Sequence, residues 1–409
     1  MKNILLRHNV SMRRQLTLLL QTVNEKDLPD ELQLYKDWLI VVLKAMQKQI
    51  DDNIISLKKN IPELYPDILS DTELLSQNLG FLNSSFIPPI HRSISTDVIG
   101  LKLLHWLHKV HPKTVQIPFA IADGSFSIYP VNPTLYYLPI VEQKGLLFLP
   151  LFFHEFGHLL FTLHKPEMES LVKEIQLAIE ELLRPAFVHN DEKNDEEWKR
   201  NSIIVTTWYK WAQELYCDAV GLVIGGESYL LAFSNYFQMG GRGEFHLAEQ
   251  DLKGHSHPIT SIRIGFLLRR ARKIGYGQIA GMIENEWDLL RKNYALTEEY
   301  YGCFIDDYID TVESIIDDML VQVLFASKVR PDGYRAFHPE RVSSSSDGPV
   351  ALPLSDEDAM QILDVISTSI PDQKNESNIT RGRCEAGARY IQELPYLRLP
   401  ECFVPIITQ

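Results

Sequence analysis

Apolar residues recur every three to four positions along most of this chain, a spacing that gathers them on one face of an α-helix. Residues 61–95 break the pattern with several prolines and are predicted to be loop-rich. The serine-rich stretch at 331–348 is predicted to be a flexible loop. The predicted helices cover 1–23, 31–60, 97–110, 167–183, 197–224, several stretches up to about 327, and 356–369.

The pattern changes between residues 114 and 141, where apolar and β-branched residues form short runs. Residues 114–122 and 125–131 are predicted to pair as a hairpin, because Asp123-Gly124 between them is a strong tight-turn signal. A third strand is predicted over 135–141, followed by a helix that begins near Pro150. The expected fold is therefore mainly α (α+β), with a small antiparallel sheet beside that helix.

Composition narrows the class of protein. The chain has 409 residues, of which 45% are hydrophobic and 23% charged, as in ordinary globular proteins. A net charge of −14 argues against nucleic acid as a partner. Four cysteines without a CxxC pair indicate a reducing, cytoplasmic setting. No apolar run reaches the ~20 residues that span a bilayer, so we expect no transmembrane segment. The sequence does not define the oligomeric state.

The helix after Pro150 carries His154-Glu155-Phe156-Gly157-His158, which has the form HExxH. Histidines four residues apart on a helix share a face, so both imidazoles can bind one Zn²⁺. Glu155 then lies where it can take the proton of a water that the metal activates. The flanking residues are apolar, which predicts burial, and buried His and Glu are costly without partners. A metal site is therefore favoured over an incidental pattern.

Two histidines leave a catalytic zinc one protein ligand short. His164 stands at the third-histidine position of the pattern HExxHxxGxxH, but Phe161 replaces the glycine that lets the chain leave the helix. On an unbroken helix His164 would point about 240° away from His158. A cysteine before the motif, as in peptide deformylases, is not available, since all four cysteines come later in the chain.

Glu214 is the favoured third ligand. Glu214 and Asp218 are four residues apart on an otherwise apolar helix, where two carboxylates resist burial unless cations compensate them. A metal at Glu214 and an imidazole N–H at Asp218 would do so, since metal-bound histidines usually donate their other N–H to a carboxylate. A solvated acidic face is the alternative.

HExxH, then Glu214-Leu-Tyr-Cys-Asp218, then Ser256-His257-Pro258 with Arg263-Ile264 follow one another in this chain. The series resembles the gluzincin zinc metallopeptidases, and within them the HtpX and CAAX-prenyl endopeptidase family, over about residues 140–275. The resemblance implies a zincin-like catalytic domain with His154, His158 and Glu214 on zinc, Glu155 as general base and Asp218 bonded to His154. It also implies His257 near the substrate oxyanion, where a donor stabilises the transition state.

Arg263 has two interpretations, a partner for a buried carboxylate of the site or a member of a basic helix that includes Arg269, Arg270 and Arg272. We expect an N-terminal helical region (1–112), the metallopeptidase domain (113–275) and a C-terminal helical region (276–409). The expected function is zinc-dependent endopeptidase cleavage of an intracellular protein. The alternatives are a non-catalytic or regulatory zinc-binding protein on the same scaffold, or a zinc amidase for a small molecule.

Overall fold

The computed structural model describes residues 1–92, 94–111, 113–139, 147–183, 193–239, 256–293 and 306–324. The loop predicted at 331–348 and the helix predicted at 356–369 lie outside these residues. The helices in the described part of the chain are α1 (Lys2–Glu25), α2 (Gln33–Lys59), α3 (Tyr65–Phe81), α4 (Pro88–His91), α5 (Ile94–Val110), α6 (Leu151–Leu163), α7 (Lys165–Leu183), α8 (Lys193–Met239), α9 (Thr260–Lys273), α10 (Gly277–Asn293) and α11 (Asp306–Leu324).

The fold is mostly helical, as predicted, and the helices expected at 1–23, 31–60, 97–110 and 167–183 correspond to α1, α2, α5 and α7. The loop-rich prediction for 61–95 is wrong, because α3 and α4 lie there. Pro66 and Pro88 stand in the first turns of these helices. Proline is tolerated at that position, since the N–H that it lacks would have no partner within the helix.

The sheet is small and mixed, which corrects the predicted antiparallel arrangement. Its strands are β1 (Phe119–Ala122), β2 (Ser127–Tyr129) and β3 (Thr134–Tyr137), in the order β1-β3-β2. β3 pairs parallel with β1 and antiparallel with β2, so β1 and β2 form no hairpin. All four residues of β1 are buried, as is typical of a parallel strand covered on both faces. Gly124 lies against the ring of Tyr137, so the chain crosses the end of β3 here instead of turning back beside β1.

α6 and α8 form the centre of the second half of the molecule, and α7, α9 and α11 pack around α8. The two central helices approach closely at Gly157, where an added Cβ would lie 2.9 Å from the Cα of Cys217. One apolar core cluster includes side chains from Met12 to Leu320, so the interior is continuous across the expected boundaries at 112 and 275. The domain boundaries therefore stay a prediction.

α8 is broken at Gly226, which has φ 53° and ψ −133°. The sequence predicts that the helix stops near residue 224, and the chain instead resumes a helical path as far as Met239. Residues Trp198–Gln238 form a helical stretch long enough to cross a bilayer, and its most apolar window of 18 residues has a mean hydropathy of 1.3. Of their most apolar window, 89% is buried within the protein.

Candidate metal centre

α6 presents both histidines of the HExxH motif on one face. His154 is buried and His158 is partly exposed, and their ring centroids are 4.9 Å apart. The helix is apolar around them, because Phe152, Phe153 and Phe156 fill the core on its other faces. The polar face of α6 is therefore held at a fixed orientation by packing on the opposite side.

α8 places Glu214 against both imidazoles. One carboxylate oxygen, Oε2, is 3.5 Å from His154 Nε2, and the other, Oε1, is 3.5 Å from His158 Nε2. One potential ligand atom from each of these three residues lies within 4.8 Å of the others. The group is largely shielded from solvent and could hold a metal ion.

Asp218 lies one turn after Glu214 and is fully buried. Its Oδ1 atom is 2.9 Å from His154 Nδ1, as the resemblance implies. Arg263 of α9 donates through Nε to Asp218 Oδ2 at 2.8 Å and through Nη2 to Oδ1 at 2.6 Å. The first interpretation of Arg263, as the partner of a buried carboxylate, is therefore the one that the geometry supports. With Nδ1 turned to Asp218, the Nε2 atom of His154 is left to face Glu214.

The charges of this cluster fit a divalent cation. Glu155, Glu214 and Asp218 are buried, and the guanidinium that lies beside them in the described part of the chain is that of Arg263. Glu214 Oε2 is shielded from solvent and accepts no hydrogen bond from any described residue. Buried charge without compensation is strongly unfavourable, and a doubly charged ion beside Glu214 would balance the three carboxylates against Arg263.

The pKa values of the ligand groups show how strongly the carboxylates attract a cation. Burial alone would lower the pKa of His154, but its contacts with Asp218 and Glu214 outweigh burial and raise that pKa to about 9. Burial alone would raise the pKa of Glu214, but His154 and His158 hold it well below its ordinary value. A metal would therefore replace a proton that the cluster otherwise keeps on His154.

Glu155 and His158 respond mainly to burial. Burial raises the pKa of Glu155 to about 7, because the charged carboxylate is separated from water. Burial lowers the pKa of His158 to about 4, so its imidazole is neutral at physiological pH and able to bind a metal. A carboxyl group with a pKa near neutrality is suited to accept and release protons.

His257 lies at the solvent side of the cluster. Its Nε2 atom is 3.6 Å from Glu214 Oε1, and its side chain is 58% exposed. Its Nδ1 atom is 2.9 Å from the hydroxyl of Ser256. The structure thus brings His257 next to the histidines of α6, although 99 positions separate it from His158 in the chain.

Two further buried histidines, His164 and His108, lie outside this cluster. His164 ends α6, with its Nδ1 3.1 Å from Lys113 Nζ, and is not in the group that could bind a metal. His108 lies in the core, with Nε2 3.0 Å from the hydroxyl of Tyr136 and Nδ1 3.3 Å from the carbonyl of Thr114. His164 thus has the position of a histidine at a helix end, as expected if it is not a ligand.

Tyr229 is a member of the cluster that the sequence did not reveal. It lies in α8 beyond the break at Gly226 and donates its hydroxyl to Asp218 Oδ1 at 3.0 Å. Farther along the same helix, the ring of Phe233 lies 4.8 Å from the guanidinium carbon of Arg263, within range of a cation–π contact. The glycines at 221, 225 and 226 are a sequence signal that another group packs closely against α8, but they do not indicate that this group is the ring of Tyr229.

Replacing Asp218 with asparagine is expected to weaken metal affinity about 10–100-fold, because the amide is a poorer acceptor for the N–H of His154. The measurement is competition for Zn²⁺ with a chromophoric chelator, with circular dichroism to verify the fold. Asp52→Asn, at an exposed position of α2, is the control. Zinc affinity equal to that of the wild type would show that Asp218 does not support the metal ligands.

No family model, curated protein or solved structure matches this chain. The resemblance to the gluzincins therefore depends on the motifs and their order alone. Membership of that family stays a prediction.

Proposed function

We propose that this protein is a zinc-dependent endopeptidase of the gluzincin type. The observation that carries the proposal is the convergence of His154, His158 and Glu214 from two helices, with the buried carboxyl of Glu155 beside them. Two histidines and a glutamate are a ligand set of catalytic zinc sites, in which one position is left for water or substrate. The substrate would be a cytoplasmic protein or peptide.

Each residue then has a distinct task. His154, His158 and Glu214 would hold the zinc ion, which when bound supplies a Lewis acid that polarises a carbonyl and makes water more acidic. Glu155 would accept a proton at its carboxylate and return it to the leaving amine. Asp218 and Arg263 would keep His154 oriented, and the Nε2 of His257 would donate to the developing oxyanion.

The small sheet supports a peptide as the substrate class. β2 is an edge strand that packs against α6, and among the described residues it pairs on one side only, with β3. The free side of an edge strand can bind an extended peptide through main-chain hydrogen bonds. A substrate held in this way would lie along the helix that carries the HExxH motif.

One observation favours a second candidate, a non-catalytic protein with structural zinc. Structural zinc sites usually have four protein ligands, and His257 Nε2 is only 3.6 Å from Glu214 Oε1. His257 is, however, largely exposed, and it is not in the group whose ligand atoms lie within 4.8 Å of one another. X-ray absorption of the zinc-loaded protein separates the two, since a fourth protein ligand would favour the structural role.

The peptidase proposal is tested by digesting a peptide library with the zinc-loaded full chain and identifying new termini by mass spectrometry. We expect cleavage at internal bonds that a chelator abolishes and added zinc restores. His158→Ala is the inactive control and should not cleave, because it removes one proposed zinc ligand, an imidazole that is already partly exposed. Failure of the fully zinc-loaded protein to cleave any peptide would contradict the proposal. Cleavage of small amides alone would favour the zinc amidase.

A further inference from the structure

The cluster contains a buried tyrosine that the proposed reaction does not use. Tyr229 is fully buried, and its hydroxyl donates to Asp218 Oδ1 at 3.0 Å. The same oxygen lies 2.9 Å from His154 Nδ1 and 2.6 Å from Arg263 Nη2. Three donors from three helices therefore converge on one carboxylate oxygen.

The backbone of α8 is shaped so that Tyr229 reaches this oxygen. Gly226 has φ 53°, a backbone conformation that residues with a Cβ rarely adopt, and α8 is kinked at this residue. The ring of Tyr229 then returns against the first part at Gly221. A Cβ on Gly221 would lie 2.4 Å from Tyr229 Cζ, so only glycine leaves room for the ring.

We propose that Tyr229 is a positioning residue that sets metal affinity through Asp218. Its hydroxyl holds the carboxylate at Oδ1, the oxygen that also contacts His154 Nδ1, and the carboxylate in turn fixes the ring of His154 with Nε2 toward Glu214. Groups that orient a metal-binding histidine commonly change metal affinity without touching the ion. The inference rests on the metal site of the proposed function and not on hydrolysis.

The chain supplies a matched comparison in Tyr216. This residue lies on the same helix and is also fully buried, but its hydroxyl has no hydrogen-bond partner in the described part of the chain. Tyr216→Phe and Tyr229→Phe remove the same atom from the same interior. Only the second change removes a hydrogen bond to Asp218.

The test compares zinc affinity of the wild type, Tyr229→Phe and Tyr216→Phe by chelator competition. We expect Tyr229→Phe to bind zinc about 3–10-fold more weakly, less than the direct loss of an orienting carboxylate, and Tyr216→Phe to bind it as the wild type does. The second readout is the Nδ1–H proton of His154 in the metal-free protein, observed by NMR with labelled histidine. Its exchange with water should be faster in Tyr229→Phe alone.

Equal zinc affinity and equal Nδ1–H exchange in the two variants would overturn the inference. A Tyr229→Phe protein that shows both changes supports it, whether or not the wild type cleaves peptides. A wild type that binds zinc but hydrolyses nothing would contradict the proposed function and leave the affinity comparison valid. The two failures are therefore distinguishable.

Discussion

Glu155→Gln is expected to lower peptide hydrolysis by about 10²–10⁴-fold while zinc content and fold stay as in the wild type, because an amide cannot accept the proton that a general base must take. Glutamine has nearly the same shape, so the packing of α6 around this buried position is retained. The carboxyl is suited to the task, since burial raises the pKa of Glu155 to about 7.

The measurement is the rate of cleavage of a peptide identified from the library, with elemental analysis of zinc in the same sample. Glu167→Gln, at an exposed position in the first turn of α7, is the control for a generic loss of negative charge. Hydrolysis at the wild-type rate by Glu155→Gln would remove Glu155 from the reaction.

The second large effect is the loss of zinc from Glu214→Ala. Glu214 contacts both histidines of α6, and without it the site keeps two imidazoles and no anionic ligand. We expect zinc affinity to fall by more than the ~10–100-fold typical of an orienting partner. Purified wild type should carry about one zinc per chain, as expected for a site of three protein ligands, and the variant much less.

Glu227→Ala is the matched control, since Glu227 lies on the same helix but is exposed. His154→Ala should lose zinc as Glu214→Ala does, because both would bind the ion directly. Full zinc retention by Glu214→Ala would exclude Glu214 as a ligand and reopen the choice of the third one.

Much of the candidate site could be predicted because its geometry is local. HExxH and Glu214…Asp218 are pairs four residues apart on helices, and helical spacing alone places each pair on one face. Once α6 and α8 pack against each other, Glu214 contacts both imidazoles and Asp218 contacts that of His154. The distances of Asp218 to His154 and of Glu214 to both histidines agree with that interpretation.

The features that the sequence did not predict depend on long-range packing. The hydroxyl of Tyr229 reaches Asp218 only because α8 is redirected at Gly226, and no periodicity encodes that direction. The predicted hairpin of β1 and β2 is wrong because Asp123-Gly124 signals only a local turn. Which strand pairs with β1 depends instead on long-range packing, and that strand is β3. The prediction of loops at 61–95 treats proline as a helix breaker, but proline can also stand in the first turn of a helix, as Pro66 and Pro88 do.

The carboxylates and imidazoles of the cluster come from segments far apart in the chain, α6 and α8, with Arg263 contributed by α9. An ion bound there joins these segments only in the folded state, so by mass action it would stabilise that state by about 2.7 kcal/mol at a free concentration one hundred times Kd. The metal-free protein would open more often and expose itself to cellular degradation. Zinc supply would then govern how long each molecule survives, as well as whether it is active.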